Sequence, residues 1–178
     1  MIVRGAINAD AAAVQAIYGH HVLHGTGTFE EDPPTIAEME SRMGAVQERG
    51  LPYLVAEIDG RVAGFAYAGP FRLRAAYRYT AEDSVYIAPD RMGQGVGRQL
   101  VSEVVAICER LGLHQLLAVI GDSANAGSVG VHRSCGFKMI GTMPGLVFKH
   151  GRWRDVVIMQ KPLNGGAEVD PSGKGLAF

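Results

Sequence analysis

Apolar positions along this chain change period several times, and each change marks an element. Ile2 to Ala6 predicts a short first strand. Val14, Ile17, Tyr18, His21 and Val22 then recur at helical spacing, which predicts a helix over Ala11–His24 with Asp10 as its N-cap. Thr35 with Glu38 three residues on is a capping box, and it opens a helix over Ile36–Glu48. Tyr53–Ile58 and Arg61–Gly69 flank Asp59-Gly60, a strong hairpin signal. A further strand is predicted over residues 80–87, stopped by Pro89 and Asp90. Beyond a glycine-rich stretch, Leu100, Val101, Val104, Val105, Cys108 and Leu111 form one stripe of a helix over Arg98–Leu111. Gln115–Ile120 reads as a buried strand, and Asn125–Phe137 as a short helix closed by Gly136. Lys138–Thr142 and Leu146–Lys149 read as extended, separated by Pro144, and a turn at His150-Gly151 leads to a last strand, Trp153–Gln160. This order predicts an α/β domain over residues 1–163, a mixed sheet with helices on both faces. Residues 164–178 are glycine-rich without periodicity and are expected to form a flexible tail.

Composition narrows the function. The chain has 178 residues, of which 47% are hydrophobic, enough for a core, and no apolar run is long enough to span a membrane. The net charge of −1 gives no electrostatic reason for a nucleic acid or an anionic membrane surface as partner. Met1-Ile2-Val3-Arg4 enters the first strand with no secretory pattern, so a cytoplasmic location is expected. Cys108 and Cys135 lack metal-site spacing and read as free thiols. His20, His21 and His24 cluster at a helix end without further ligands at suitable spacing, so no metal is expected.

The chemistry centres on residues 91–97. A strand, Arg91-Met92-Gly93-Gln94-Gly95-Val96-Gly97 and a helix follow one another. Strand, glycine loop and helix N-terminus together present free backbone N–H groups to an anion. A phosphate-binding P-loop would need Gly-Lys-Ser/Thr at the loop's end, where Gly97 is followed by Arg98 and Gln99. A dinucleotide fingerprint would need glycine at Arg98. A plain strand-to-helix turn that favours glycine is the remaining alternative. Upstream, Gly69–Tyr79 is cationic and aromatic, with Arg72, Arg74 and Arg78. That connection is either a solvated surface or a carboxylate- or phosphinate-binding segment, since the guanidinium fork suits both anions. Gly25–Glu30 is either a connector or the rim of a pocket walled by Phe29.

The order Arg91-x-x-Gly93-x-Gly95-x-Gly97 resembles the pyrophosphate loop of the GNAT superfamily, the acetyl-CoA-dependent N-acetyltransferases. Asn125-x-x-Ser128-x-x-Val131-His132-x-x-x-Gly136-Phe137 is similar to that superfamily's last motif. Four blocks, 66–72, 80–87, 118–121 and 148–156, resemble the phosphinothricin and methionine sulfoximine/sulfone N-acetyltransferases. The resemblance implies a splayed, mostly antiparallel sheet opening beside residues 80–87. It implies a bulge at Val85-Tyr86-Ile87 that turns backbone groups toward pantetheine and the thioester. Arg91, Gly93, Gln94, Gly95, Val96, Gly97 and Arg98 would take the pyrophosphate of acetyl-CoA, and Asn125 and Ser134 would hold the cofactor arm. Glu82 would be the general base, with Asp83 as the alternative; the other reading makes Glu82 an ion-pair partner of the arginines. His132 stands where many relatives carry a tyrosine that protonates the leaving thiolate, and is either that acid or a hydrogen-bonded helix residue. Phe29, Arg72, Leu73, Arg74, Glu82, Asp83 and Ser84 would form the pocket for a small amino-acid-like amine, with Lys149 or Trp153 walling it across a homodimer interface. The resemblance also implies a resistance role. A peptide or lysine acetyltransferase and a non-catalytic CoA-binding domain are the competing readings.

Overall fold

The computed structural model describes residues 1–177. Seven strands form one sheet in the order β1-β2-β3-β4-β5-β7-β6. They are β1 (Ile2–Gly5), β2 (Tyr53–Ile58), β3 (Arg61–Pro70), β4 (Thr80–Ile87), β5 (Gln115–Gly121), β6 (Lys138–Lys149) and β7 (Arg152–Pro162). Every neighbouring pair is antiparallel except β4 and β5. The helices are α1 (Ala11–His24), α2 (Ile36–Glu48), α3 (Val96–Arg110) and α4 (Ala126–Ser134).

Strand alternation divides the core into two layers. On β2, Tyr53 and Val55 join Phe65 of β3 and Tyr86 of β4 beneath α1 and α2, against Val14, Ile17, Tyr18, Met39 and Met43. Leu54 and Ala56 face the other way, with Ala66, Ala68, Ala81, Leu116 and Ala118, against Leu100, Val101, Val104 and Cys108 of α3. Alanines dominate the strand positions beneath α3, so that helix sits close to the sheet. The expected stripe is therefore the face that α3 buries, except at Leu111, which follows the helix and is exposed.

Local signals account for several boundaries. Asp59 and Gly60 both take positive φ (52° and 73°), as a two-residue hairpin requires. Thr35 and Glu38 make the expected reciprocal cap on α2. Asp10 departs from expectation. Its carboxylate does not cap α1; it accepts from the Ile7 N–H and from Arg4, at 2.9 and 2.7 Å. The three-residue turn before α1 and the Arg4 guanidinium capture it first. β6 runs unbroken past Pro144, because two register irregularities absorb the mismatch and the Gly145 N–H is satisfied by Asp155. Of the expected tail, residues 164–178, Phe178 lies outside the described residues and 164–177 lie against the domain. Asn164 donates to the Glu109 and Leu113 carbonyls, His114 bonds the Gly166 carbonyl, and Leu176 N–H bonds the Arg78 carbonyl.

The site follows from one feature of the sheet. β4 and β5 pair only from Thr80↔Gln115 to Asp83↔Ala118 and then diverge. Pairing of β4 with β3 meanwhile stays in even register from Ala81 to Ile87. The gap thus comes from β5 leaving β4, and no bulge at Val85–Ile87 disturbs the β3–β4 ladder.

Candidate active site

A cleft of about 540 Å³ fills the gap between the diverging strands. Its walls are the free edge of β4, the glycine loop, the N-terminal turn of α3, the end of β5 and one face of α4.

The parity of β4 decides which backbone groups enter the cleft. Ala88 N–H bonds the Ala63 carbonyl, so the even-numbered residues of β4 direct their backbone groups to β3. Val85 and Ile87 therefore direct theirs to the open side. The Ile87 carbonyl is taken by His21 Nε2 at 2.8 Å. Burial pushes the His21 ring below its ordinary pKa, with the Ile87 carbonyl acting the other way, so a neutral ring donates there. The backbone of Val85 remains as the donor and acceptor pair beside the gap.

At the cleft's other end the loop turns sharply. Gly93 and Gly95 have φ of 74° and 81°, a region that side chains rarely adopt. Gly97 is buried in the first turn of α3, where a Cβ would come within 3.3 Å of Val131 Cγ2. The first intrahelical bond is Gln99 N–H to Gly95 O, which leaves the preceding amides of the turn without an intrahelical acceptor. Arg91 and Arg98 also line the cleft. Amides, the positive end of a helix and two guanidiniums have the chemistry that suits a diphosphate, and the glycines keep Cβ atoms out of the way. Asn125 lines the cleft too, while its Oδ1 caps α4 by accepting from Ser128 N–H at 3.1 Å.

Two acidic neighbours on β4 lie on opposite faces. Asp83 is buried beneath α4, with Oδ2 3.0 Å from His132 Nε2. His132 Nδ1 donates to the Ser128 carbonyl at 2.8 Å. Burial lowers the affinity of His132 for its proton, but the Asp83 hydrogen bond and charge and the Ser128 carbonyl outweigh it, and its pKa is raised. Glu82 faces the α1/α2 side. Burial first, then the Asp83 charge, pushes its carboxyl up to about 7, with Arg72 pulling the other way. No ion pair to Glu82 forms among the described residues.

A strap formed by residues 25–30 crosses the mouth of the gap. Lys149 Nζ donates to the Thr28 carbonyl (2.8 Å) and His150 Nε2 to the Gly25 carbonyl (3.2 Å). Tyr18 and Thr28 share a hydrogen bond of 2.7 Å, and Tyr18 also donates to Glu30. Gly121 lies directly under the strap, where a Cβ would strike the Thr26 carbonyl oxygen.

Comparison with known proteins decides the family. Residues 3–158 match the Acetyltransferase (GNAT) domain. The chain belongs to the GNAT acetyltransferase family. It is 53% identical over 162 residues to a phosphinothricin N-acetyltransferase of Alcaligenes faecalis, covering 91% of this chain and 82% of that one. It is 38% identical to an L-methionine sulfoximine/L-methionine sulfone acetyltransferase of Salmonella typhimurium, over 96% of this chain and 99% of that one. The crystal structure of a phosphinothricin acetyltransferase from Sinorhizobium meliloti in complex with AcCoA superposes with a TM-score of 0.94 at 43% identity, over 98% of this chain and 94% of that one.

In this GNAT domain the residues expected at the site fall into two groups. Val85, Tyr86, Ile87, Arg91, Gly93, Gly95, Val96, Gly97, Arg98 and Asn125 line the cleft, as do Asp83, Ser84 and His132. Gln94 and Ser134 do not: Gln94 Nε2 turns back to the Asp90 carbonyl, and the Ser134 hydroxyl bonds the Val131 carbonyl of its own helix. Glu82, Phe29, Arg72, Leu73 and Arg74 also lie outside the cleft. The three residues 72–74 are exposed on the β3–β4 connection, with the Arg72 guanidinium 5.1 Å over the Phe71 ring. The sheet thus separates the glycine-lined cleft from the side that carries the Glu82 carboxylate. His21, Gly121 and the Lys149 clamp were not expected in these roles. Each depends on contacts across long sequence separations that no local pattern encodes.

Proposed function

We propose that this GNAT acetyltransferase transfers the acetyl group of acetyl-CoA to the α-amino group of small amino-acid analogues of the phosphinothricin and methionine sulfoximine/sulfone type. The observation that carries the reading is the pairing of a glycine-lined diphosphate seat on one side of β4 with a carboxyl of pKa about 7 on the other. The cleft's apolar strand walls suit a pantetheine arm, and its glycine end suits the pyrophosphate.

Roles follow from the chemistry each residue has to do. Glu82 takes the proton from the attacking amine. An α-amino group titrates near ~8, so a base of pKa about 7 is well matched to it. Val85 N–H donates to the charge that develops on the thioester oxygen. Arg72 and Arg74 attract the substrate's carboxylate and its phosphinyl or sulfoximine oxygens, with Leu73, Ser84 and Phe29 around them, while Asp83, buried on the other face, acts through His132. His132 supplies the proton that neutralises the leaving thiolate. Activity at limiting amine should fall as pH drops below about 7, because Glu82 is then protonated and can no longer act as a base.

The same reading makes the enzyme a homodimer acting in the cytoplasm, where acetylation of toxic analogues confers resistance. Support for the dimer comes from the β6–β7 edge, where Ile140, Leu146, Phe148 and Trp153 are 59%, 54%, 56% and 65% exposed. The two unpaired cysteines, Cys108 and Cys135, suit a reducing compartment.

Thiol release from acetyl-CoA, measured across a panel of L-methionine sulfoximine, L-methionine sulfone, phosphinothricin and N-terminal or lysine peptides, tests the substrate. Fast turnover with the amino-acid analogues and slow turnover with peptides is expected; the reverse order would replace the substrate assignment. Sedimentation of the same preparation as a single-chain species would remove the dimer.

A further inference from the structure

His132 poses a problem for its proposed role. Both ring nitrogens are already engaged, Nδ1 by the Ser128 carbonyl at 2.8 Å and Nε2 by Asp83 Oδ2 at 3.0 Å. The ring is 3% exposed, packed edge-on against Phe137 at a centroid distance of 5.1 Å. It cannot swing out to a thiolate without leaving the Asp83 carboxylate buried and unpaired, which is costly. Yet Ser128, one helical turn before it, lines the cleft, and the Ser128 hydroxyl lies 3.4 Å from the same Nδ1.

We propose that Asp83, His132 and Ser128 form a proton relay in which the buried imidazolium is the reservoir and the Ser128 hydroxyl is the outlet to the leaving thiolate. This rests on the acetyl-transfer reading above. As the carbon–sulfur bond of the thioester breaks, the electron pair stays on sulfur. The Ser128 O–H proton moves to that sulfur, and the Nδ1 proton of His132 moves to the Ser128 oxygen. The ring is left neutral, with Nε2–H still donating to the Asp83 carboxylate and Nδ1 now accepting from the Ser128 hydroxyl. The relay returns to its starting state by taking one proton from solvent, while Glu82 releases to solvent each proton it removes from the nitrogen, two when the substrate binds as an ammonium and one when it binds as a neutral amine.

Ser128 is suited to both ends of this cycle. Its carbonyl accepts from Nδ1–H in the charged state, and its hydroxyl donates to Nδ1 in the neutral state, so neither state leaves a ring nitrogen without a partner. A carbonyl alone could not satisfy the neutral ring, because it has no hydrogen to donate to Nδ1. Asp83 is a positioning residue here: it fixes the Nε2 proton and stabilises the positive ring. The titratable groups facing the ring are few. Asp83 comes from β4. Cys108 comes from α3, with its thiol pushed up to about 12 by burial and then by the Asp83 charge, so it stays neutral. Glu82 lies across the sheet, and the β5 residues on this side of the cleft are apolar Ala118 and Ile120.

Ser128→Ala keeps the backbone carbonyl and removes only the outlet. In the full-length enzyme, kcat is expected to fall by about tenfold or more, with the KM values for both substrates nearly unchanged. The alkaline limb of kcat should keep its midpoint, since the ring is undisturbed. Ser128→Thr, which restores a hydroxyl, should recover most of the rate. Asp83→Asn should move that alkaline limb to lower pH and lower the His132 titration midpoint read by NMR of the ring. Melting curves and coenzyme A binding report whether each variant folds. Wild-type kcat in Ser128→Ala would overturn the outlet. An unmoved His132 midpoint in a folded Asp83→Asn protein would overturn the reservoir. The NMR midpoint needs no turnover, so it still reads the Asp83–His132 coupling if every amine in the panel fails, an outcome that would instead sink the substrate assignment.

Discussion

Replacing Glu82 with glutamine is expected to lower kcat by about 10²- to 10⁴-fold, the range of a positioned acid–base group. Coenzyme A affinity should stay the same. The reason is the parity of β4: Glu82 points to the α1/α2 side, whereas the glycine loop and the open backbone edge lie in the cleft on the other. Glutamine keeps the shape and loses the base. At neutral pH an α-amino group of pKa ~8 is mostly protonated, so the variant would act only on the minor neutral fraction. The gap between wild type and variant should therefore narrow as pH rises above the amine's own pKa. The acid limb near pH 7 comes from that particular carboxyl, raised by burial and Asp83, so in the variant only the amine's own limb at ~8 should remain. A variant with wild-type turnover at pH 7, or one that keeps the limb near pH 7, would show that the proton leaves by another route.

The second large effect is expected at Gly121, which carries no chemistry. A methyl group there would meet the Thr26 carbonyl oxygen, a main-chain atom that no side-chain rotation can move aside. Phe29 Cε1 would stand 3.0 Å away as well. The strap cannot simply lift, because Lys149, His150 and Tyr18 hold it at the Thr28 and Gly25 carbonyls and the Thr28 hydroxyl. Gly121→Ala should displace the strap or open β5, and either change moves the mouth of the splay where amine and thioester must meet. A misplacement of about 1 Å at such a point can cost on the order of 10²-fold. We expect kcat/KM for the amine to fall by that order, together with a lower melting temperature. Gly44→Ala in α2, where added bulk meets nothing within 4 Å, is the control: it should leave the amine kinetics unchanged and raise the melting temperature slightly, as alanine does for glycine inside a helix. Wild-type amine kinetics and melting in Gly121→Ala would mean the strap is free to move and does not shape the site.

These two residues also mark what could be read from sequence. The hairpin at Asp59-Gly60, the Thr35–Glu38 box, the apolar stripe of α3 and the glycine loop were all legible, because each is a local pattern whose partner lies within a few residues. Glu82 was legible only through the family resemblance, and its raised pKa depends on burial that the sequence does not display. The bulge expected at Val85–Ile87 is absent, while the gap in the sheet was expected at the right strand. It depends on where β5 stops pairing, a property of two strands about 35 residues apart in the register Asp83↔Ala118. The sequence leaves His132 as either the acid or a hydrogen-bonded helix residue, and its pairing with Asp83 is invisible there because the two are 49 residues apart in the chain. The Lys149 clamp spans 121 residues, and a lysine after an apolar strand looks like any solvated charge until the fold buries it. Asp10 shows the converse failure: a good capping residue was claimed by an arginine on the neighbouring strand.

The amides of the glycine loop are expected to hold the diphosphate of acetyl-CoA and so to direct its acyl group to the edge of β4. A crystal structure of the protein with acetyl-CoA tests this most directly. The account predicts the pyrophosphate against the backbone of residues 93–98 and the thioester carbonyl within hydrogen-bond reach of Val85 N–H. A nucleotide seated elsewhere, with the loop bare and the thioester away from β4, would contradict it.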